Sequence, residues 1–120
     1  MRSLIPFVRK LQVVKFNDKM HEIKYLPSFQ KDLNAIVDYI IFTLEAPMAA
    51  SNMLDEIEKA VDNLKKFPLA HRIYHPIKPI SAEYRVLTVK NYLVFYVVLE
   101  STVEIHRIIY RKRDLSKLIK

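Results

Sequence analysis

The chain has 120 residues, 51% of them apolar and 28% charged, a balance that supports one packed domain and argues against disorder. It contains no cysteine and no glycine, which excludes disulfides, zinc-thiolate sites, cysteine nucleophiles, glycine-rich phosphate loops and nucleophile elbows. The net charge of +7 favours polyanionic partners, either nucleic acid or an acidic protein, and sits at the two ends of the chain.

Residues 1–19 are basic, with short apolar runs at Leu4-Ile5 and Phe7-Val8 and again at Val13-Val14. None is long enough to cross a bilayer, and no sustained apolar stretch marks a signal peptide, so no membrane partner is expected. Residues 1–19 read as an N-terminal extension and 20–120 as the folded domain. The alternative is an arm that covers an apolar groove. The missing cysteines fit a reducing, cytoplasmic setting.

His21 to Leu26 alternates as a short strand that Pro27 stops. Ser28 has the hydroxyl of an N-cap. Phe29, Leu33, Ile36, Val37, Ile40 and Leu44 then follow at helical spacing, until Glu45-Ala46-Pro47 breaks the pattern. A second helix is predicted from Pro47 to Lys66, with a stripe of Ala50, Met53, Leu54, Ile57, Ala60, Val61 and Leu64. Two such helices with a tight link form an antiparallel hairpin.

Phe67 to Ala82 carries three prolines and little periodicity, so it reads as a loop. Three strands follow at Glu83–Val89, Tyr92–Leu99 and Thr102–Tyr110, joined by tight turns at Lys90-Asn91 and Glu100-Ser101. Tyr92–Leu99 is apolar on both faces and should be central. Without glycine, the candidates for a positive φ are Asn91, Asn63 and Asn17. A short helical turn over Leu115, Leu118 and Ile119 would end the chain. The fold class is α+β, in the order β-α-α-β-β-β: a helical hairpin on a small, mainly antiparallel four-stranded sheet.

His71 and His75 lie four residues apart, but Pro76 and the lack of a nearby acidic ligand argue against a metal. No serine, histidine and acid fall in a convincing triad, and no cofactor is expected. The strongest local signal is the run Arg111-Lys112-Arg113-Asp114 after the last strand. Simple alternation puts Arg107 with Val103, Ile105 and Ile109, so it is either partly buried or exposed by a bulge. The same alternation puts Glu104, His106, Ile108 and Tyr110 on the other face. Tyr84 and Arg85 on the neighbouring strand add polar groups. Guanidinium forks suit phosphate or carboxylate, and exposed tyrosines can stack on bases. The plainer reading is a soluble tail with structural ion pairs.

The segments Ile23–Leu33, Glu83–Leu87, Asn91–Tyr96 and Val103–Asp114 resemble the RelE/ParE superfamily of toxins from type II toxin–antitoxin (plasmid stabilization) modules. The hydrophobic strand that ends in a basic run and an aspartate is the most specific of these. The resemblance covers Met20 to Ile119, and its fold agrees with the order derived above. It implies a small basic growth inhibitor, neutralised in a hetero-oligomer by a cognate antitoxin. RelE-like members cut mRNA on the ribosome, whereas ParE-like members inhibit DNA gyrase and are not nucleases.

Where RelE-like toxins place an arginine after Tyr92 this chain has Leu93, and it has Leu118 and Ile119 where they place a tyrosine. A glycine common near Arg111 is also absent. The first two departures remove a phosphate stabiliser and a proton carrier, which favours the gyrase reading. A nuclease, the alternative, would rely on Arg85, His106, Arg107 and Arg113. Target binding falls to Tyr84, Arg85, Arg107, Tyr110, Arg111, Lys112 and Arg113. A third reading is a binding module whose toxicity has decayed.

Overall fold

The structure is a computed structural model and describes residues 20–76 and 82–112. The extension at 1–19, Asn17, Arg113 and the turn expected over Leu115, Leu118 and Ile119 lie outside the described residues. The elements are β1 (Glu22–Tyr25), α1 (Pro27–Asp38), a π-helical turn (Tyr39–Thr43), α2 (Pro47–Asn63), β2 (Arg85–Val89), β3 (Tyr92–Val98) and β4 (Thr102–Tyr110). The strands form one sheet in the order β1-β4-β3-β2, with β1 parallel to β4 and the other two pairings antiparallel. The expected α+β fold, with the helical hairpin against one face, is the one observed.

Alternation explains the layers. Ile23, Tyr25, Leu87, Val89, Val94, Tyr96, Val103, Ile105 and Ile108 pack with the helical stripe Phe29, Leu33, Val37, Ile40, Ala50, Met53, Ile57, Val61 and Leu64. Val86, Leu93, Phe95 and Ile109 form a second, smaller cluster with Tyr84 on the opposite face, covered by Tyr74 and Ala82. β3 is apolar throughout because it feeds both clusters.

The details depart from the sequence reading at several points. Ser28 is not the N-cap: Pro27 opens the helix after Leu26, and no side chain caps it. Leu44 leaves the core stripe. The π-helical turn, closed by the Leu44 N–H bond to the Tyr39 carbonyl at 3.0 Å, inserts one extra residue. One residue advances the helix by about 100°, so Leu44 swings outward and is 55% exposed. α2 stops at Asn63, three residues before the expected end at Lys66. β2 begins at Arg85, because the Tyr84 carbonyl instead accepts from the Tyr74 N–H at 2.7 Å. Finally, the residues with positive φ are Glu45 (52°) and Lys90 (53°), not Asn91 or Asn63. Glu45 links the π-helical turn to α2, and Lys90 is the first of the two turn residues between β2 and β3.

Two side chains with Cβ atoms thus occupy a region that suits glycine. Replacing Lys90 with glycine is expected to raise stability by about 0.5–1 kcal/mol, read as a higher denaturant midpoint with an unchanged slope.

Buried tyrosines add a pH dependence. Burial pushes the Tyr96 phenol from 10.0 up to about 12, and burial also raises Tyr25, Tyr84 and Tyr92. Such a phenol stays protonated in the fold while the unfolded chain ionises. Its stabilisation is therefore complete below about pH 10 and is lost as the pH rises toward about 12. Tyr96→Phe is expected to be less stable at about pH 9, by about 1 kcal/mol, because the Tyr96 hydroxyl donates to the Pro68 carbonyl at 2.8 Å. It should then lose less than the parent between about pH 9 and about pH 11, in paired denaturant titrations.

Candidate functional site

The site begins with a mismatch of lengths. β1 pairs with β4 only as far as Tyr25 opposite Ile105, and α1 starts at once with Pro27. Among the described residues, the outer edge of β4 beyond Ile105 therefore has no strand beside it. The start of α1 takes over part of that role. The Leu26 N–H donates to the Ile105 carbonyl at 3.0 Å. The Ser28 hydroxyl donates to the His106 carbonyl at 2.7 Å. Asp32 then accepts from the Ile108 N–H at 3.2 Å.

The strand bulges at the same place. Phe95 pairs with Arg107 and Tyr96 with Ile105, which leaves His106 as the extra residue. Simple alternation fails there. Val103, Ile105 and Ile108 face the helical core, while Ile109 belongs to the opposite cluster. The arrangement that placed Ile109 with Val103, and Ile108 with Glu104, is corrected by that one residue.

Arg107 follows the bulge and is bound bidentately by Asp32, with Nε to Oδ2 at 2.6 Å and Nη2 to Oδ1 at 3.0 Å. The side chains are 26% and 17% exposed. The bonded carboxylate raises the Arg107 pKa further and keeps the guanidinium charged. Removing the carboxylate would leave a half-buried cation and a backbone donor without an acceptor. Asp32→Ala is expected to cost about 2–3 kcal/mol, measured by denaturant unfolding, with Asp32→Asn losing less.

Arg85 is also held by the protein: its Nη1 donates to the His71 carbonyl at 2.8 Å and fastens the loop before β2. Tyr84 and His106 meet in a second cluster. The Tyr84 hydroxyl lies 3.1 Å from His106 Nδ1, and His106 Nε2 lies 3.1 Å from a Glu104 oxygen. Burial raises the Tyr84 pKa, the Arg107 charge opposes that shift, and Glu104 adds to it. Tyr110 is exposed and packs edge-on against Tyr92, with ring centres 5.8 Å apart. Arg111 and Lys112 are exposed at the end of the strand. Arg113 lies outside the described residues.

Between α1 and the ends of β3 and β4 runs a groove of about 760 Å³. Ile36, Tyr39 and Leu44 form one wall and Tyr92 and Tyr110 the other, with the Asp32–Arg107 pair also lining it. Of the residues expected to bind a target, Tyr110 and Arg107 line this groove. Tyr84 and His106 form a separate network, and Arg85 braces the loop. The sequence reading missed Asp32 as a partner, because 75 residues separate it from Arg107. It missed the groove walls because Leu44 and Ile36 read as core. Among the described residues no three His, Cys, Asp or Glu side chains are placed to hold a metal ion. None of the described helices is long and apolar enough to cross a membrane.

A helical hairpin on a four-stranded sheet, with a basic end beyond a bulged last strand, defines a class of small α+β proteins to which the RelE/ParE toxins belong. Residues 23–115 match the family model described as ParE toxin of type II toxin-antitoxin system, parDE, and the chain belongs to that family. A solved structure titled as a chromosomal ParDE TA system from P. aeruginosa superimposes with a TM-score of 0.60. It is 22% identical, and the match covers 77% of this chain and 96% of that one, a likeness of fold. No curated protein sequence matches.

Proposed function

We propose that this type II toxin stops growth by binding DNA gyrase, without catalysing a reaction of its own, and that a cognate antitoxin holds it inactive in the cytoplasm. The observation that carries this reading is the engagement of its arginines. Arg85 is spent on a loop carbonyl and Arg107 on Asp32. On the sheet face away from the helices, Val86, Leu93, Phe95 and Ile109 are buried beneath Tyr74 and Ala82. A phosphorane would need charged donors aimed at one point, and the Arg85 and Arg107 guanidinium groups are already held by the protein itself. Arg111 and Lys112 stand exposed side by side at the end of β4, where they suit contact with a large acidic surface.

A second reading, ribosome-dependent mRNA cleavage, draws support from one feature. A carboxylate, an imidazole and a phenol stand in a hydrogen-bonded line at Glu104, His106 and Tyr84. Such a line can orient a ring nitrogen for proton transfer.

The two readings separate in one set of assays. Purified gyrase is expected to lose supercoiling activity, or to accumulate cleaved DNA, when the toxin is added. Replacing Arg111, Lys112 and Arg113 together by alanine should raise the amount of toxin needed by about tenfold. His106→Ala should leave that inhibition unchanged. New codon-linked mRNA ends in primer extension, abolished by His106→Ala, with gyrase unaffected, would establish the nuclease instead.

A further inference from the structure

The segment between α2 and β2 carries two large apolar side chains outward: Phe67 and Leu69 are each 62% exposed. Its backbone is nevertheless fastened along its length. The Phe67 N–H donates to the Asn63 carbonyl at 3.0 Å, and the Ala70 N–H returns to the Phe67 carbonyl at 3.2 Å. The Tyr96 hydroxyl holds the Pro68 carbonyl at 2.8 Å. Arg85 Nη1 holds the His71 carbonyl at 2.8 Å. The Val86 N–H holds the Arg72 carbonyl at 3.0 Å. The His71 ring packs edge-on against Tyr96, with ring centres 6.3 Å apart. These bonds order the backbone around Phe67 and Leu69 and leave both side chains facing water. Apolar side chains presented in this way gain nothing for the free chain, and their ordering lowers the entropy cost of meeting a partner.

The charge around them selects that partner. No aspartate or glutamate occurs from Asn63 to Ala82, whereas Lys65, Lys66, Arg72 and Lys78 do. Of these, Lys66 and Arg72 are exposed and flank Phe67 and Leu69. A second copy of this chain would set cation against cation, with +7 on each side. Nucleic acid would meet the charge, but a leucine has no ring face on which a base can stack. An acidic protein surface with apolar hollows meets both features.

The sheet adds a measure of size. The loop is bridged to the first residue of β2, where Ile73 pairs with Arg85. The exposed Arg111 lies beyond the other end of that strand, with its N–H on the Asn91 carbonyl. The five residues of β2 separate the two places by about 17 Å. One interface of standard size spans that distance, so a large partner that takes Arg111 and Lys112 also reaches the loop.

We propose that the loop from Lys66 to Arg72 is a second contact for the growth target. Phe67 and Leu69 enter apolar hollows on gyrase, and Lys66 and Arg72 meet carboxylates around them. The proposal rests on the gyrase reading above. Arg85 and Tyr96 then serve target binding through the loop they hold, without touching the target.

The double substitution Phe67→Ser with Leu69→Ser alters only exposed positions and should leave the denaturant midpoint unchanged. It should raise the amount of toxin needed to inhibit supercoiling by about tenfold, with binding to the cognate antitoxin unaltered. A second measurement uses the lack of cysteine in the chain. Full-length Leu69→Cys takes a single thiol-linked photo-crosslinker, which should label gyrase and lose that label when unmodified toxin is added in excess.

Equal inhibition by the parent and the double variant, with no label on gyrase, overturns the loop contact and leaves the gyrase reading intact. A double variant that inhibits normally but no longer binds the antitoxin assigns the loop to the antitoxin and also overturns the contact. So does a label that passes only between two toxin chains. Failure of the unaltered chain to inhibit gyrase overturns both.

Discussion

The Asp32 carboxylate does three jobs at one point. It neutralises Arg107, it accepts the Ile108 N–H, and it fixes the first turns of α1 beside the end of β4. Its oxygens are half-buried, where charge-assisted bonds are strong and an unpaired charge is costly. The groove depends on this fastening. α1 must stand close enough to β4 to form a wall, yet β1 must end early enough to leave room beside β4. Asp32 holds that spacing without filling the space.

The His106 bulge and the π-helical turn are companions to the same geometry. Each inserts one residue into a regular element, and each rotates the residues beyond it. The bulge sends Ile108 to the helical core and Ile109 to the far face. The π-helical turn sends Leu44 out of the core and onto the groove wall. Extra residues of this kind recur where a protein re-aims side chains. Here they lie on the two sides of one groove. The absence of glycine sharpens the pattern. The chain enters the left-handed region at Glu45, directly after the π-helical turn, with a residue that gains nothing from it intrinsically. Backbone bonds on either side, from the Leu44 N–H to the Tyr39 carbonyl and from the Ala46 N–H to the Ile40 carbonyl, hold it there.

The arginines divide by what surrounds them. Arg85 and Arg107 lie where strands meet a loop and a helix, and there the protein's own carbonyls and carboxylate bind them. Arg111 and Lys112 lie past the last strand and stay open to solvent. Among the described residues, Arg85 and Arg107 thus serve as structural cations, while Arg111 and Lys112 form a charged tip.

Much of this molecule could be read along the chain. Apolar spacing gave both helices, Pro27 and Pro47 marked their starts, and the doubly apolar run from Tyr92 announced a central strand. The hydrophobic last strand with its basic end carried the family resemblance. These features are local, because each depends on residues within a turn or a strand of one another. What decided the site was not local. Asp32 meets Arg107 across 75 residues, Tyr84 meets His106 across 22, and Arg85 meets the His71 carbonyl across 14. No periodicity encodes such pairings. A single inserted residue at His106 reverses the face of the strand beyond it, and one in the turn after Asp38 rotates the helix by about 100°; a pattern of period two or 3.6 cannot show where either will occur. Composition and spacing determined which elements form and that the chain is a basic α+β domain. Tertiary packing alone determined which cations are bound, where β1 stops beside β4 and which apolar side chains face outward, because each outcome depends on atoms brought together only by folding.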